Sequence, residues 1–280
     1  MSIDLHVHTK ASDGLYSPAD IVQMAGSAGV SVLGIADHDT VNGIDEAMSA
    51  ASEKGLELIP GVEINSYNGD AEYHILGYFL DHKNSDLLRA LEELRAARIR
   101  RMHGIISKLG LIGITVSPQE ILALAESGTV GRPHIAQVLV RKGYAASIRE
   151  AFDRYIGEGK PAYAPRSKLT PVEAIRIITS AGGLAALAHP GLWHGDELIP
   201  QLAAWGIVGI EVYSPDNTAE QVARYRDTAR SLGLISIGGS DFHGWGDPAR
   251  NTIGMAATPP EEFARLRDMA RRERRHGPRE

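Results

Sequence analysis

The 280-residue chain has no cysteine. Disulfides and thiolate–metal sites are therefore excluded, and any metal site must be built from nitrogen and oxygen donors. Nor does any apolar run reach the roughly 18–20 residues that a membrane span requires. The first residues show no basic-then-apolar leader; with the lack of cysteine, this makes the cytoplasm the expected compartment and a membrane an unexpected partner. An excess of positive charge is also missing. The net charge is −6, which argues against broad electrostatic binding to nucleic acid while leaving room for a local basic pocket. Internal repeats and low-complexity tracts are absent. The apolar content of 43% and charged content of 23% are those of an ordinary globular protein. The length suits one large domain, or one domain carrying an insertion.

What is present begins with "IDLHVHTKASDG". Ile3, Leu5 and Val7 alternate with Asp4, His6 and His8, a strand pattern that sends both imidazoles to one face. Two adjacent histidines on one face are poor packing and good metal chemistry. Further strands are expected near 31–36, 56–64, 73–80, 184–188, 208–213 and 234–239, separated by amphipathic segments. Strand alternating with helix predicts an α/β fold with a mainly parallel sheet and crossover helices, closed or nearly closed into a barrel. Ser17-Pro18, Ser117-Pro118 and Thr170-Pro171, each followed by an acid at the third helical position, are helix starts rather than sites.

The rhythm changes between about 86 and 165. "DLLRALEELRAARIRRMHGIISKLG" predicts one long helix with Leu87, Leu91, Leu94, Met102, Ile105 and Leu109 along its apolar stripe. Shorter helices are expected near 117–127, 132–142 and 147–156, followed by the turn-rich "GEGKPAYAPRSK". This segment reads as a helical cap inserted between the fourth and fifth strands. Arg98 breaks the stripe of the long helix and is accounted for by snorkelling to water.

Donors fall at strand ends. "GIADHDT" supplies Asp37, His38 and Asp39, "GVEIN" supplies Glu63, "LAALAHPG" supplies His189, and "GGSDFHG" supplies Asp241 and His243. In a parallel barrel such ends gather on the face where barrel enzymes keep their sites. His74, early in "EYHILGY", fits only if its strand runs the other way. The remaining histidines lack such positions. His82, His103 and His276 are read as surface residues, and His194 as a loop histidine that a leaving-group role would otherwise suit.

The stretches "DLHVHTKASDG", "ADHDT", "GVEIN", "YHILGY", "AHPG" and "GSDFHG" resemble the ordered motifs of the PHP family, named for polymerase and histidinol phosphatase. The insertion with "GRPHIA" and the return "GKPAY" resemble its nucleotide-phosphatase branch, which contains 3′,5′-nucleoside bisphosphate phosphatases and 5′-to-3′ exonucleases acting on short RNA. The resemblance implies a distorted (β/α)7 barrel, residues 1–85 and 166–280, with a small helical cap at 86–165. It implies two or three divalent ions, with Mn²⁺, Zn²⁺ or Fe²⁺ suiting mixed imidazole and carboxylate donors. His6, His8, Glu63 and Asp241 would hold one ion. Asp13, His38 and His243, the residues given the catalytic role, would hold a second. His74 and His189, with Glu63 bridging, would hold a third. Asp37 and Asp39 would orient imidazoles, Asp39 having an equal claim as a turn residue.

In "GRPHIAQVL", Pro133 suits a first helical turn and sets Arg132 and His134 at a helix N-terminus, which favours anions. Arg132, His134 and, more weakly, Lys160 are the expected substrate-phosphate contacts. The expected reaction is release of phosphate from a 3′,5′-nucleoside bisphosphate, with exonuclease action on short 5′-phosphorylated RNA and histidinol-phosphate hydrolysis as alternatives. An amidohydrolase deaminase would call for a lysine at a strand end, and none is present. A non-catalytic, metal-dependent nucleic-acid-binding module is opposed by the full donor set and the acidic net charge.

Overall fold

Strand β1 (Ser2–Val7) carries the first donors and leads into helix α1 (Pro18–Ser27), whose N-terminus is capped by the Ser17 hydroxyl. The computed structural model describes residues 2–69, 71–125, 129–165, 169–192, 196–245 and 252–276. After α1 come β2 (Val30–Ile35), α2 (Ile44–Lys54), β3 (Glu57–Asn68) and β4 (Ala71–Tyr78). A helical stretch follows: α3 (Ser85–Leu111), α4 (Pro118–Ala125), α5 (Arg132–Arg141) and α6 (Ile148–Ala151), the last continuing as a π turn over Phe152–Ile156. The chain then returns through α7 (Pro171–Ser180), β5 (Leu184–Leu187), α8 (Ile199–Trp205), β6 (Gly209–Tyr213), α9 (Ala219–Leu232), β7 (Ile235–Gly238) and α10 (Pro260–His276). The expected strands and the long helix are all present. No helix among the described residues is long and apolar enough to cross a membrane.

The seven strands form one sheet in chain order, β1 to β7. The sheet is mixed. β4 runs antiparallel to both β3 and β5, and the other neighbours pair in parallel. The reason is local: β3 and β4 are joined by a tight reversal, Asn68 pairing with Ala71, where a parallel partner would need a long crossover. This reversal accounts for His74, which faces Asn65 across the pair. β4 then meets β5 at Tyr78 and Leu184, so the polypeptide leaves the sheet and rejoins it at one place. The edge strand β1 is bonded to the segment after β7: the Asp241 amide donates to the His6 carbonyl at 2.8 Å, and the His8 amide to the Phe242 carbonyl at 2.9 Å.

Burial follows the amphipathic patterns. One apolar cluster packs Ile21, Ala47, Ile178, Leu202 and Tyr225 of the flanking helices onto the sheet. A second joins Leu76, Tyr78 and Ile237 to Phe263 and Leu266 of α10. The third lies wholly within residues 102–164 and includes Met102, Ile105, Leu109, Ile121, Ile135, Leu139 and Ile156. The helical stretch therefore has an apolar core of its own. Leu87 and Leu91, at the start of α3, belong instead to the sheet's cluster.

Candidate metal centre

His6 is the last inward residue of β1, and its surroundings fix its proton. Nδ1 donates to the buried Glu211 carboxylate at 3.0 Å, which turns Nε2 toward His8 Nε2 at 3.0 Å, Asp241 Oδ1 at 3.3 Å and Glu63 Oε2 at 3.4 Å. His243 is set the same way. Its Nδ1 donates to the Asp241 carbonyl at 2.8 Å, and Nε2 lies 3.3 Å from Asp13 Oδ1. Glu63 is the hub. Its Oε1 accepts from His74 Nδ1 at 2.7 Å and His189 Nε2 at 3.0 Å, and its Oε2 lies 3.0 Å from His38 Nδ1 and 3.2 Å from His8 Nε2.

All nine sequence-assigned donors thus meet in one buried bowl. Among the described residues, three sets bring their ligand atoms within 4.8 Å of one another: His6, His8, Glu63 and Asp241; His8, Asp13, His38 and His243; and His38, Glu63 and His74. The first matches the expected grouping, and the second adds His8 to it. In the third, His38 stands where His189 was expected.

Whether the bowl suits cations can be judged from its unsatisfied atoms. His8 Nδ1, His38 Nδ1, Asp13 Oδ1, Glu63 Oε2 and Asp241 Oδ1 are buried without hydrogen-bond partners. Several of them face one another at 3.0–3.8 Å without hydrogen-bond alignment. Buried polar atoms left this way are costly, and divalent ions would satisfy them together, so the donor chemistry fits. The electrostatics point the same way. Burial raises the Glu63 pKa, but the surrounding histidines outweigh it and hold the carboxyl well below its usual range; His243 and His38 do the same for Asp13. Burial also depresses His38, to about 3, despite the attraction of Glu63 and Asp13.

The backbone is bent to serve this cluster. Among the described residues, non-glycine positive φ occurs at Asp39 (51°), Phe79 (59°), His189 (22°) and Asp241 (50°). Three of these four adjoin or belong to the bowl, where strained backbone commonly aims functional groups. Gly239 has a different reason: a Cβ there would run into the Cβ of His6 and lie 2.8 Å from Glu211 Oε1.

Other expected contacts are redistributed. Asp37 serves the turn after β1, accepting from the Thr9 amide and hydroxyl at 2.7 Å each and from the Ser12 hydroxyl at 2.5 Å. Asp39 accepts from Arg98 Nε at 2.5 Å, so Arg98 points into the seam beside the bowl, not out to water. Arg132 begins α5, lies 3.5 Å from Glu72 Oε2, and stacks over Phe152. His134 is buried. Its Nδ1 accepts from the Gly131 amide at 3.0 Å and caps α5, leaving Nε2 as the proton-bearing nitrogen. Lys160 is exposed on the turn after the π segment, and none of the contacts described for the bowl reaches it. His82 is paired with Asp45. His103 is exposed. His194 and the His276 side chain lie outside the described residues.

Two contributors carry no sequence assignment as site residues. Glu211 binds His6 Nδ1 through one oxygen and the His189 amide, at 2.8 Å, through the other. The signal was an acid inside the apolar strand "GIEVY". Arg98 was visible only as a polar break in an apolar stripe. Beside the bowl, Arg98, Arg101 and Arg132 line a narrow cleft with Val130, Gly131 and Ile135.

Comparison with known proteins gives a consistent picture. The PHP domain profile matches residues 4–158. A 5′-3′ exoribonuclease of Haemophilus influenzae is 38% identical over 257 residues, spanning 89% of this chain and 93% of the relative. A 3′,5′-nucleoside bisphosphate phosphatase of Chromobacterium violaceum is 31% identical over 265 residues, spanning 92% and 93%. A crystal structure from Bifidobacterium adolescentis, assigned as a metal-dependent phosphoesterase, superposes with a TM-score of 0.86 at 33% identity, covering 94% of each chain.

Proposed function

This chain belongs to the PHP domain family and is a metal-dependent phosphoesterase; from that premise we propose that it releases phosphate from a 3′,5′-nucleoside bisphosphate such as pAp. The observation that carries the reading is the pairing of a buried donor bowl with an arginine-lined cleft at its rim. A substrate with two phosphates has one to place over the bowl and one to place at the mouth of the cleft, against Arg132 and the start of α5.

In this reading the mixed sheet is a distorted (β/α)7 barrel, supported by the bonds between β1 and the segment after β7. Residues 86–165 form a cap over the barrel of residues 1–85 and 166–280. His6, His8, Glu63 and Asp241 hold one ion; Asp13, His38 and His243 hold a second, with His8 beside them. Glu63 and His74 contribute to a third, with His38 and His189 adjoining. Mn²⁺, Zn²⁺ and Fe²⁺ suit these donors. Bound ions supply Lewis-acid charge for the phosphoryl and leaving oxygens and make water a stronger acid.

The chain's own residues do the rest. Glu211 and the Asp241 carbonyl hold the protons of His6 and His243 on Nδ1, so that both Nε2 lone pairs face inward. Arg132 and the start of α5 bind the second phosphate. His134, its Nδ1 engaged, has an Nε2–H to offer a phosphate or ribose oxygen. The Thr129 amide donates to the Ala11 carbonyl at 3.0 Å, closing the cap over the turn that bears Asp13 and restricting water there.

A second reading, 5′-to-3′ exonuclease action on short 5′-phosphorylated RNA, is favoured by the similarity to the Haemophilus influenzae protein. The deciding experiment is metal analysis together with product release from pAp, AMP, histidinol phosphate and a 5′-phosphorylated oligoribonucleotide. Phosphate from pAp alone supports the first reading, and mononucleotides from the oligomer support the second. A metal-loaded chain releasing phosphate only from histidinol phosphate would overturn both.

A further inference from the structure

We infer that Arg98 is a positioning residue: by binding Asp39 and Asn65 at once, it assembles His38, Glu63 and His74 into a single donor group and makes metal uptake by that group depend on helix α3. The inference rests on the proposal that this group holds an ion.

The three donors come from three places in the chain, the loop after β2, the middle of β3 and the middle of β4. Arg98 touches what joins them. Its Nε donates to Asp39 Oδ2 at 2.5 Å, and its Nη2 donates to Asn65 Oδ1 at 2.7 Å. Asp39 directly follows His38, and its amide donates to the Glu63 carbonyl at 2.9 Å. Asn65 lies two residues beyond Glu63, on the same face of β3, and pairs with His74 across the hairpin.

A guanidinium only donates, so it takes the carbonyl end of the Asn65 amide and turns the NH₂ end toward β4. There Nδ2 donates to Glu72 Oε1 at 3.1 Å, the same oxygen that lies 3.4 Å from His74 Nε2, so the carboxylate can hold the proton on Nε2 and leave Nδ1 as the nitrogen facing Glu63. One side chain from α3 thereby sets the amide and carboxylate that orient His74 and tethers the loop that carries His38. Its side chain is only 10% exposed, and the fork geometry matters: a lysine has one compact ammonium and cannot reproduce two fixed donor directions. Asp13, His243, His6 and Asp241 sit on the 6–13 and 241–243 segments, which close on each other through β1 rather than through Arg98.

The test uses the full chain with Arg98→Met, Arg98→Lys and Asn65→Leu. Bound Mn²⁺ is counted by mass spectrometry at fixed free metal, and kcat and KM are measured for phosphate release from pAp. The wild type should hold at least one more ion than Arg98→Met, because His38 also borders the second donor set. In Arg98→Met, kcat should fall, with KM moving by less than about threefold, and about tenfold more Mn²⁺ should restore kcat. Arg98→Lys should lie between, and Asn65→Leu should follow Arg98→Met.

Full metal content in Arg98→Met with only KM raised would make Arg98 a substrate contact and overturn the inference. If Arg98→Met loses its folded circular dichroism, Asn65→Leu decides: wild-type metal content there overturns the inference, and loss of at least one ion upholds it. A wild-type chain that takes up no divalent ion would instead sink the proposed function itself.

Discussion

The donor bowl and the arginine cleft lie side by side and are built by opposite means. The bowl is made of acids and imidazoles fixed by strands, strained backbone turns and buried partners such as Glu211. The cleft is made of guanidiniums carried on helices, each already committed to a protein acceptor or a ring: Arg98 to Asp39 and Asn65, Arg101 to the Ala164 carbonyl, Arg132 to Glu72 and Phe152. The first region has little freedom and suits chemistry that needs fixed geometry. In the second, Arg132 is held by one acid and one ring and can exchange partners, which suits recognition, whereas Arg98 is locked onto groups beside the bowl. The contrast predicts that substitutions at Arg132 act on substrate binding and that substitutions in the bowl or at Arg98 act on turnover.

The sharpest way to break that contrast is Asp13→Ala. Losing a donor forfeits several kcal/mol of charge stabilisation, so kcat should drop by about a thousandfold or more with the fold kept. Steady-state kinetics and circular dichroism check both halves, and a variant with wild-type kcat would show that the bowl is not the reaction centre. Next in size is Glu211→Gln. It removes the charge that holds the His6 proton but keeps the shape. Metal affinity should weaken by about 10–100-fold, measured by competition with a chelating dye, with KM little changed at saturating metal.

A third prediction concerns protons. In the metal-free chain burial opposes charge on His8, but Asp241 and Glu63 outweigh it and push the group up to about 10; burial likewise opposes charge on His74, which Glu63 and Glu72 raise to about 9. A raised pKa gives the metal-free fold stability that is complete below about pH 6.5 and is lost as pH climbs through 9 to 10. Cations must displace those protons. Metal affinity should therefore rise with pH across this window, and uptake near pH 7.5 should release protons, as read by calorimetry in buffers of differing ionisation enthalpy. Uptake without proton release would contradict the described arrangement.

The smallest effect belongs to the cleft. Arg132→Ala should raise KM for pAp by about tenfold, the worth of one charge-assisted hydrogen bond, while leaving kcat and metal content near wild type. An unchanged KM would separate the cleft from substrate binding.

How much of this could be read in advance differs between the same two regions. The bowl was legible because its donors recur at strand ends and alternate with apolar residues: His6 and His8 declare their face by spacing alone. His74 was legible as an exception, and the antiparallel β4 explains it. Glu211 and Arg98 were not legible, because their roles depend on which distant groups the fold presses against them. A buried acid in "GIEVY" and a polar break in a helix stripe each have an ordinary reading until His6 and Asn65 stand beside them. Asp37 shows the converse. Its place next to His38 suggested an imidazole partner, but the nearby turn at Thr9 and Ser12 takes its oxygens.

The pairing of Tyr78 with Leu184 has a consequence for how such a molecule can change. Because the strands flanking residues 79–183 are immediate neighbours, the sheet bears that whole stretch as an outsized hairpin loop. Only the part with its own apolar core, residues 102–164, is independent of the strands; Leu87, Leu91 and Arg98 of α3 and Ile175 and Ile178 of α7 serve the sheet or the bowl. Chimeras that exchange residues 102–164 alone would test whether substrate range can be altered apart from the reaction.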